Sequence, residues 1–205
     1  MKPSLSLLFF LALMGFCSDL QAAELTAPPE FSADVVRTEI RPEKRITRGK
    51  MFVSRYGVRT EGNKNGQKIV VIFRPKKKIV WTLFPDLKRY EERVGLVVER
   101  PPLPRDPKSP CQKREAGLYC QLLGESEVNG RITEHWLISR PDKNKLITVM
   151  QLWIDRRLKV AVREQFPDGM VVDLFNIVEK IQSVKAFVVP SDYVKNSAKK
   201  AKPVQ

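Results

Sequence analysis

One histidine, His135, and three cysteines, Cys17, Cys111 and Cys120, are all that this 205-residue chain offers in soft metal ligands and thiols. Cys17 lies in an N-terminal apolar run, so one histidine and two cysteines remain, too few for a usual zinc site. His135 falls on the polar side of an alternating stretch, which suits a solvated or hydrogen-bonded ring better than a catalytic base. There is no glycine-rich phosphate loop and no Gly-x-Ser-x-Gly elbow. Asp86, Asp155, Asp168 and Asp173 are scattered, three of them in turn-like places where aspartate is ordinary. The N-terminal apolar run is too short to be a comfortable membrane span, no second run is long enough to cross a bilayer, and no repeat of fixed period is present. These absences point away from an enzyme, call for no cofactor or metal, and leave binding as the class to consider.

What the chain has in excess is positive charge. Lys and Arg total 37 against 23 Asp and Glu, a formal net charge of +14. Such a bias favours anionic surfaces. The N-terminus narrows the choice: Lys2, the apolar Leu5 to Phe16, then small residues at Ala22-Ala23 have the form of a secretory signal peptide over residues 1–22. Phe16 stands before Cys17 where lipid attachment needs a small residue, so lipidation is not expected. A chain exported to a bacterial periplasm meets little nucleic acid. Phospholipid headgroups, lipopolysaccharide or an acidic partner protein in the inner or outer membrane are the expected anions, and the protein is expected to be a monomer. The basic runs Lys76-Lys77-Lys78 and Lys88-Arg89 are candidates for docking to an anionic membrane surface, where each cation near the headgroups contributes about 1 kcal/mol. Their plainer reading is a solvated face.

The mature chain reads as one domain over residues 23–194 with a basic, disordered tail at 195–205. Its centre is Gly49 to Glu92. Strand-like runs cover Lys50 to Arg55, Gly57 to Glu61, Lys68 to Arg74, Lys78 to Phe84 and Lys88 to Glu92. They are separated by Gly57, by Gly62, Asn63, Asn65 and Gly66, by Pro75, and by Pro85-Asp86, residues that turn or end strands. Strands this closely spaced form antiparallel meanders, because parallel pairs need long crossovers. Phe31 to Ile40 reads as a helical turn running into a strand. Five prolines between Pro101 and Pro110 make residues 99–120 a loop, closed by Cys111 and Cys120, which are expected to pair in an oxidising compartment. Further strands follow from Leu118, with Asn129-Gly130 as a hairpin signal. About ten strands with few helices predict a barrel or sandwich.

Three segments, Lys68 to Phe73, Ile79 to Phe84 and Leu146 to Ile154, are apolar on both faces. An antiparallel strand with one solvated face alternates instead. Both faces must therefore be covered, one by a helix or lid and the other by an interior, or else the core is simply thick and dry.

Several motifs resemble the LolA-type, outer-membrane lipoprotein-sorting-like family. Gly49 to Arg59 is similar to its early strand, arginine, turn and strand. Ile79-Val80-Trp81-Thr82-Leu83-Phe84-Pro85-Asp86 is similar to its next hairpin, and Leu174 to Ile177 with Phe187 to Tyr193 to its closing segment. The resemblance implies a mainly β (α+β) fold: a highly curved, incompletely closed antiparallel barrel with a few lid helices. It also implies a periplasmic carrier of lipid, or of the acyl chains of lipoproteins, in envelope trafficking. Candidate cavity residues are Phe52, Val71, Phe73, Trp81, Leu83, Trp136, Leu152 and Trp153, and Arg55 corresponds to an arginine that holds the lid. The chain departs from the pattern in Arg74-Pro75-Lys76-Lys77-Lys78, where an Asp-Gly turn is expected, and in its proline-rich loop. Rival readings are an envelope-stress sensor of the same fold and an interaction module without ligand.

Overall fold

The computed structural model describes residues 29–95, 110 and 117–196. The expected signal peptide, most of the proline-rich loop including Cys111, and residues 197–205 lie outside them. Cys120 is disulfide-bonded; its pairing with Cys111 remains the expectation drawn from the sequence.

Twelve strands follow in chain order: β1 (Phe31–Glu39), β2 (Arg45–Ser54), β3 (Gly57–Lys64), β4 (Gln67–Arg74), β5 (Ile79–Phe84) and β6 (Arg89–Val94), then β7 (Tyr119–Val128), β8 (Arg131–Asp142), β9 (Lys145–Asp155), β10 (Val160–Gln165), β11 (Val171–Glu179) and β12 (Val194–Lys195). They form one sheet in the order β12-β6-β5-β4-β3-β2-β1-β11-β10-β9-β8-β7. Neighbours are antiparallel except β12, which runs parallel to β6. The ends, β7 and β12, do not pair, so the barrel is not closed. Phe31 to Glu39 is strand throughout rather than a helical turn first: Phe31, Ala33 and Val35 alternate onto one face, and the strand pairs with both β2 and β11.

Turn chemistry sets the hairpins. Asn65-Gly66 and Asn129-Gly130 each place two successive residues at positive φ, at 53° and 81° and at 51° and 76°, the backbone of a two-residue hairpin turn. The β4–β5 and β5–β6 links repeat one device. A 3-10 turn opens at Pro75 or Pro85 and ends on a left-handed lysine, Lys78 (φ 52°) or Lys88 (φ 48°), whose N–H donates to the proline carbonyl at 3.1 Å.

Curl brings distant strands together. Val58 of β3, Val128 at the end of β7 and Leu158 after β9 share one buried cluster with Phe31, Val160 and Leu174. Asn129 Nδ2 donates to the Leu174 carbonyl at 2.9 Å, although three strands separate β7 from β11 in the sheet. At that end Arg131 bridges Asp155 and Glu179, and the buried Asp155 accepts from the Arg157 and Leu158 amides at 2.8 Å each. This end is plugged. A second cluster, Trp136, Ile138, Met150, Leu152 and Ile154, continues the core along β8 and β9.

A third cluster lies on the opposite face of the sheet. Val70, Ile72 and Leu83 pack under Phe187, and the registers Val70–Leu83 and Ile72–Trp81 put them on one side, with Val71, Phe73 and Val80 on the other. Phe187 belongs to a 3-10 turn, Val184–Phe187, opened by Ser183, whose hydroxyl accepts from the Lys185 amide. Helical structure among the described residues consists of three such 3-10 turns, and no α-helix is present there.

Candidate functional site

The concave face holds a cavity of about 390 Å³, within the range of small-ligand sites. Its floor is apolar: Val35, Met51, Met150, Ala161, Val172 and Leu174. Strand β3 contributes Thr60 and Gly62 from one side and β9 contributes Met150 from the other, with four strands between them. Gly49 and Gly62 line the wall without side chains, and the reasons differ. A Cβ on Gly49 would stand 2.3 Å from the Glu61 carbonyl oxygen, so β2 passes β3 more closely there than a side chain permits. A Cβ on Gly62 would meet nothing within 4 Å. The rest of the lining is polar and largely charged: Arg37, Thr47, Arg48, Lys50, Thr60, Glu61 and Glu164.

None of the eight expected lining residues borders this cavity. Phe52, Trp81 and Leu83 belong to the cluster under Phe187 on the opposite face. Trp153 stacks on His135 with ring centroids 4.1 Å apart, and His135 Nε2 lies 2.8 Å from Gln151 Oε1. Trp136 and Leu152 are packed in the β8–β9 cluster. Val71 and Phe73 are half-buried on the cavity side, but on β4, beyond its wall. For Phe52, Trp81 and Leu83 the cause is parity. A one-residue change of register exchanges the faces of a strand, and where both faces are apolar the sequence gives no sign of which is inward.

The docking set also divides. Lys76, Lys77 and Lys78 sit at the start of β5, whereas Lys88 and Arg89 sit beyond its end. Six residues of strand separate them, about 20 Å at the usual rise. They do not form one patch. Lys88 pairs with Asp192 at 3.1 Å, and Lys78 and Lys88 both hold left-handed turn positions. Lys195, assigned to a disordered tail from its sequence, lies instead in β12. Its ammonium binds Glu92 at 2.5 Å, and the next amide, Asn196, donates to the Tyr90 carbonyl at 2.7 Å.

Arg55 does not bond the covering segment directly. Its Nε and main-chain N–H both donate to Glu30 Oε1 at 3.2 Å, and Glu30 Oε2 accepts from the Gln182 amide at 2.7 Å. Two other arginines clamp the cover. Arg59 Nη1 donates to the Ala186 carbonyl at 3.0 Å and Arg74 Nη1 to the Phe187 carbonyl at 2.9 Å. The Arg59 guanidinium is also paired with Glu61 at 2.7 Å. Arginine at a parity position of an otherwise apolar face was the only signal available for them, and it needed the register to be legible.

Among the described residues no group of three His, Cys, Asp or Glu side chains is arranged to hold a metal ion, and no helix is long and apolar enough to cross a membrane.

An uncharacterized conserved protein from Thermus thermophilus has a similar structure, with a TM-score of 0.50 at 12% identity over 82% of this chain and 91% of that one. That likeness is one of fold alone, and the open, curled antiparallel architecture agrees with what the LolA resemblance implies. Two weaker similarities are the LolA superfamily protein NE2245 from Nitrosomonas europaea (TM-score 0.38, 10% identity, 80% of this chain and 91% of that one) and MucB in the Pseudomonas aeruginosa MucA/MucB complex (TM-score 0.49, 14% identity, 80% of this chain). The chain spans 56% of that MucB-containing structure's chain. No family model matches the sequence, and no curated protein does.

Proposed function

We propose that this chain is an exported, periplasmic, non-enzymatic binding protein that takes the acyl part of a lipid or lipoprotein into the concave cavity. The observation that carries the reading is the cavity itself: about 390 Å³, floored by aliphatic and methionine side chains, with glycine at two wall positions. Aliphatic walls select by buried area, at roughly 0.8 kcal/mol per buried methylene. Methionine adapts to chains of different shape. The open seam of the sheet and the absence of a filling side chain at Gly62 are consistent with a site that loads and unloads.

The test is native mass spectrometry of the mature protein purified gently from a periplasmic extract, followed by lipid extraction. A bound species of lipid mass is expected. Its loss in Gly62→Phe, which fills the cavity from a position with no backbone clash, locates the ligand. An apo mass with no uptake of added fatty acid or phospholipid refutes the carrier reading and favours a partner-binding module or an envelope-stress sensor.

A further inference from the structure

Beside the apolar cavity lies a smaller one of about 200 Å³ with a different chemistry. Its walls are Arg37, Glu39, Ile40, Arg41, Asp168 and Met170, from the β1–β2 hairpin and the β10–β11 turn. The two are joined by Arg37, which lines both. A cavity with an apolar floor and a charged rim that shares one arginine with a charged pocket has the outline of a site for a single amphiphile, with its chain on the apolar floor and its headgroup in the smaller pocket.

The charges say which headgroup. Glu39 is already engaged by two guanidinium groups, Arg37 at 2.7 Å and Arg45 at 2.6 Å. The hydrogen bond from Arg45 is the main cause of a carboxylate pKa held below its ordinary value. Glu39 therefore stays ionised and neutralised, and it positions Arg37. Among the described residues Arg41 has no ion-pair partner. It is left, with the remaining donors of Arg37, for an anion, and guanidinium groups match phosphate oxygens. Asp168 stands on the facing turn. One of its oxygens, Oδ1, caps the Met170 amide at 2.9 Å, and the other is left to accept from a cation. A headgroup carrying a phosphate and, a few atoms away, a primary ammonium satisfies both sides. A trimethylammonium has no N–H to donate to Asp168.

Resting on the carrier reading above, we propose that the paired cavities select a single-chain amphiphile with a phosphoethanolamine-type headgroup: phosphate on Arg37 and Arg41, ammonium on Asp168, chain over Met51, Met150 and Leu174. The apolar cavity lies near the lower end of ligand-site volumes, which favours one chain over two or three.

The experiment measures binding of three probes of equal chain length to the mature protein: lysophosphatidylethanolamine, lysophosphatidic acid and monoacylglycerol. It uses intrinsic fluorescence or calorimetry at fixed ionic strength below their micelle concentrations. Lysophosphatidylethanolamine is expected to bind at least tenfold more tightly than monoacylglycerol. Arg41→Gln removes that preference and leaves monoacylglycerol unchanged. Asp168→Asn, which keeps the oxygen that caps Met170, levels lysophosphatidylethanolamine with lysophosphatidic acid. Gly62→Phe weakens all three. Equal affinity for lysophosphatidylethanolamine and monoacylglycerol overturns the headgroup assignment while the carrier reading stands. Indifference to Asp168→Asn overturns the ammonium assignment. No binding of any probe overturns the carrier reading itself.

Discussion

Phe187 is fully buried and covers a face of the sheet that would otherwise present Val70, Ile72 and Leu83 to water. Phe187→Ala removes the ring and leaves a cavity beneath a segment fastened by two arginine-to-carbonyl bonds. Truncating a buried phenylalanine costs about 3–5 kcal/mol. For a domain of this size each kcal/mol lowers Tm by about 2–4 °C, so the variant should melt roughly 6–20 °C below the parent. Two routes lead there. If the cover stays docked, the whole fold loses the full cost. If it lifts, the global loss is smaller, but amide exchange at Ala186 and Val194 rises above that of β4. The assay is thermal and urea unfolding by circular dichroism, with hydrogen exchange resolved by segment. Val188→Ala, at a position 38% exposed, is the control and should cost under about 0.5 kcal/mol. A Phe187→Ala protein within about 1 kcal/mol of the parent, with unchanged exchange in the 184–196 segment, refutes the idea that this segment is the second face's core.

Three further outcomes are expected. Gly49→Ala drives a Cβ to 2.3 Å from a carbonyl oxygen and should cost about 1–3 kcal/mol in urea unfolding, whereas Gly62→Ala, with open space around it, should be neutral within about 0.5 kcal/mol. Asp155→Ala leaves the Arg131 guanidinium with Glu179 as its one remaining carboxylate and two amides without their acceptor; a loss of about 3 kcal/mol is expected from a buried, charge-linked group, read as a fall in urea midpoint at constant m. The docking of β12 should depend on pH. The Lys195 ammonium, then the Trp81 indole N–H, hold Glu92 below the ordinary 4.5, and the Glu92 carboxylate raises Lys195 above 10.5. A depressed acid stabilises above its unfolded pKa and loses that contribution as pH falls through the folded value; a raised base does so in the opposite direction. After correction for intrinsic rates, protection of the Val194 and Asn196 amides should therefore be flat near neutrality and fall below about pH 4.5, whereas that of β4 amides should not change.

A strand-rich fold, barrel or sandwich, was legible in the sequence because its signals are local; that the barrel is open was implied by the LolA resemblance. Asn65-Gly66 and Asn129-Gly130 specify hairpins through their own backbone preferences, and Pro75 and Pro85 end strands whatever the rest of the chain does. The runs expected within Lys50 to Glu92 all fall on observed strands, and the doubly apolar β4, β5 and β9 announced that both faces are covered. The cover itself, Val184–Phe187, is not an α-helix and has no helical period to betray it. The site was far less legible. Its lining depends on which alternate residues point inward, and Phe52, Trp81 and Leu83 are as apolar as Met51 and Val35. Only the pairing register sends the first three under Phe187 and the last two to the cavity. The arginine clamps at Arg59 and Arg74 and the pocket that Arg37 and Asp168 both line join residues far apart in the chain. Where the strands turn was settled by the chain's local chemistry, because a turn is written in one or two residues. The curl of the sheet, and with it the cavity, was decided by long-range register and close strand passage, which no single stretch of this chain contains.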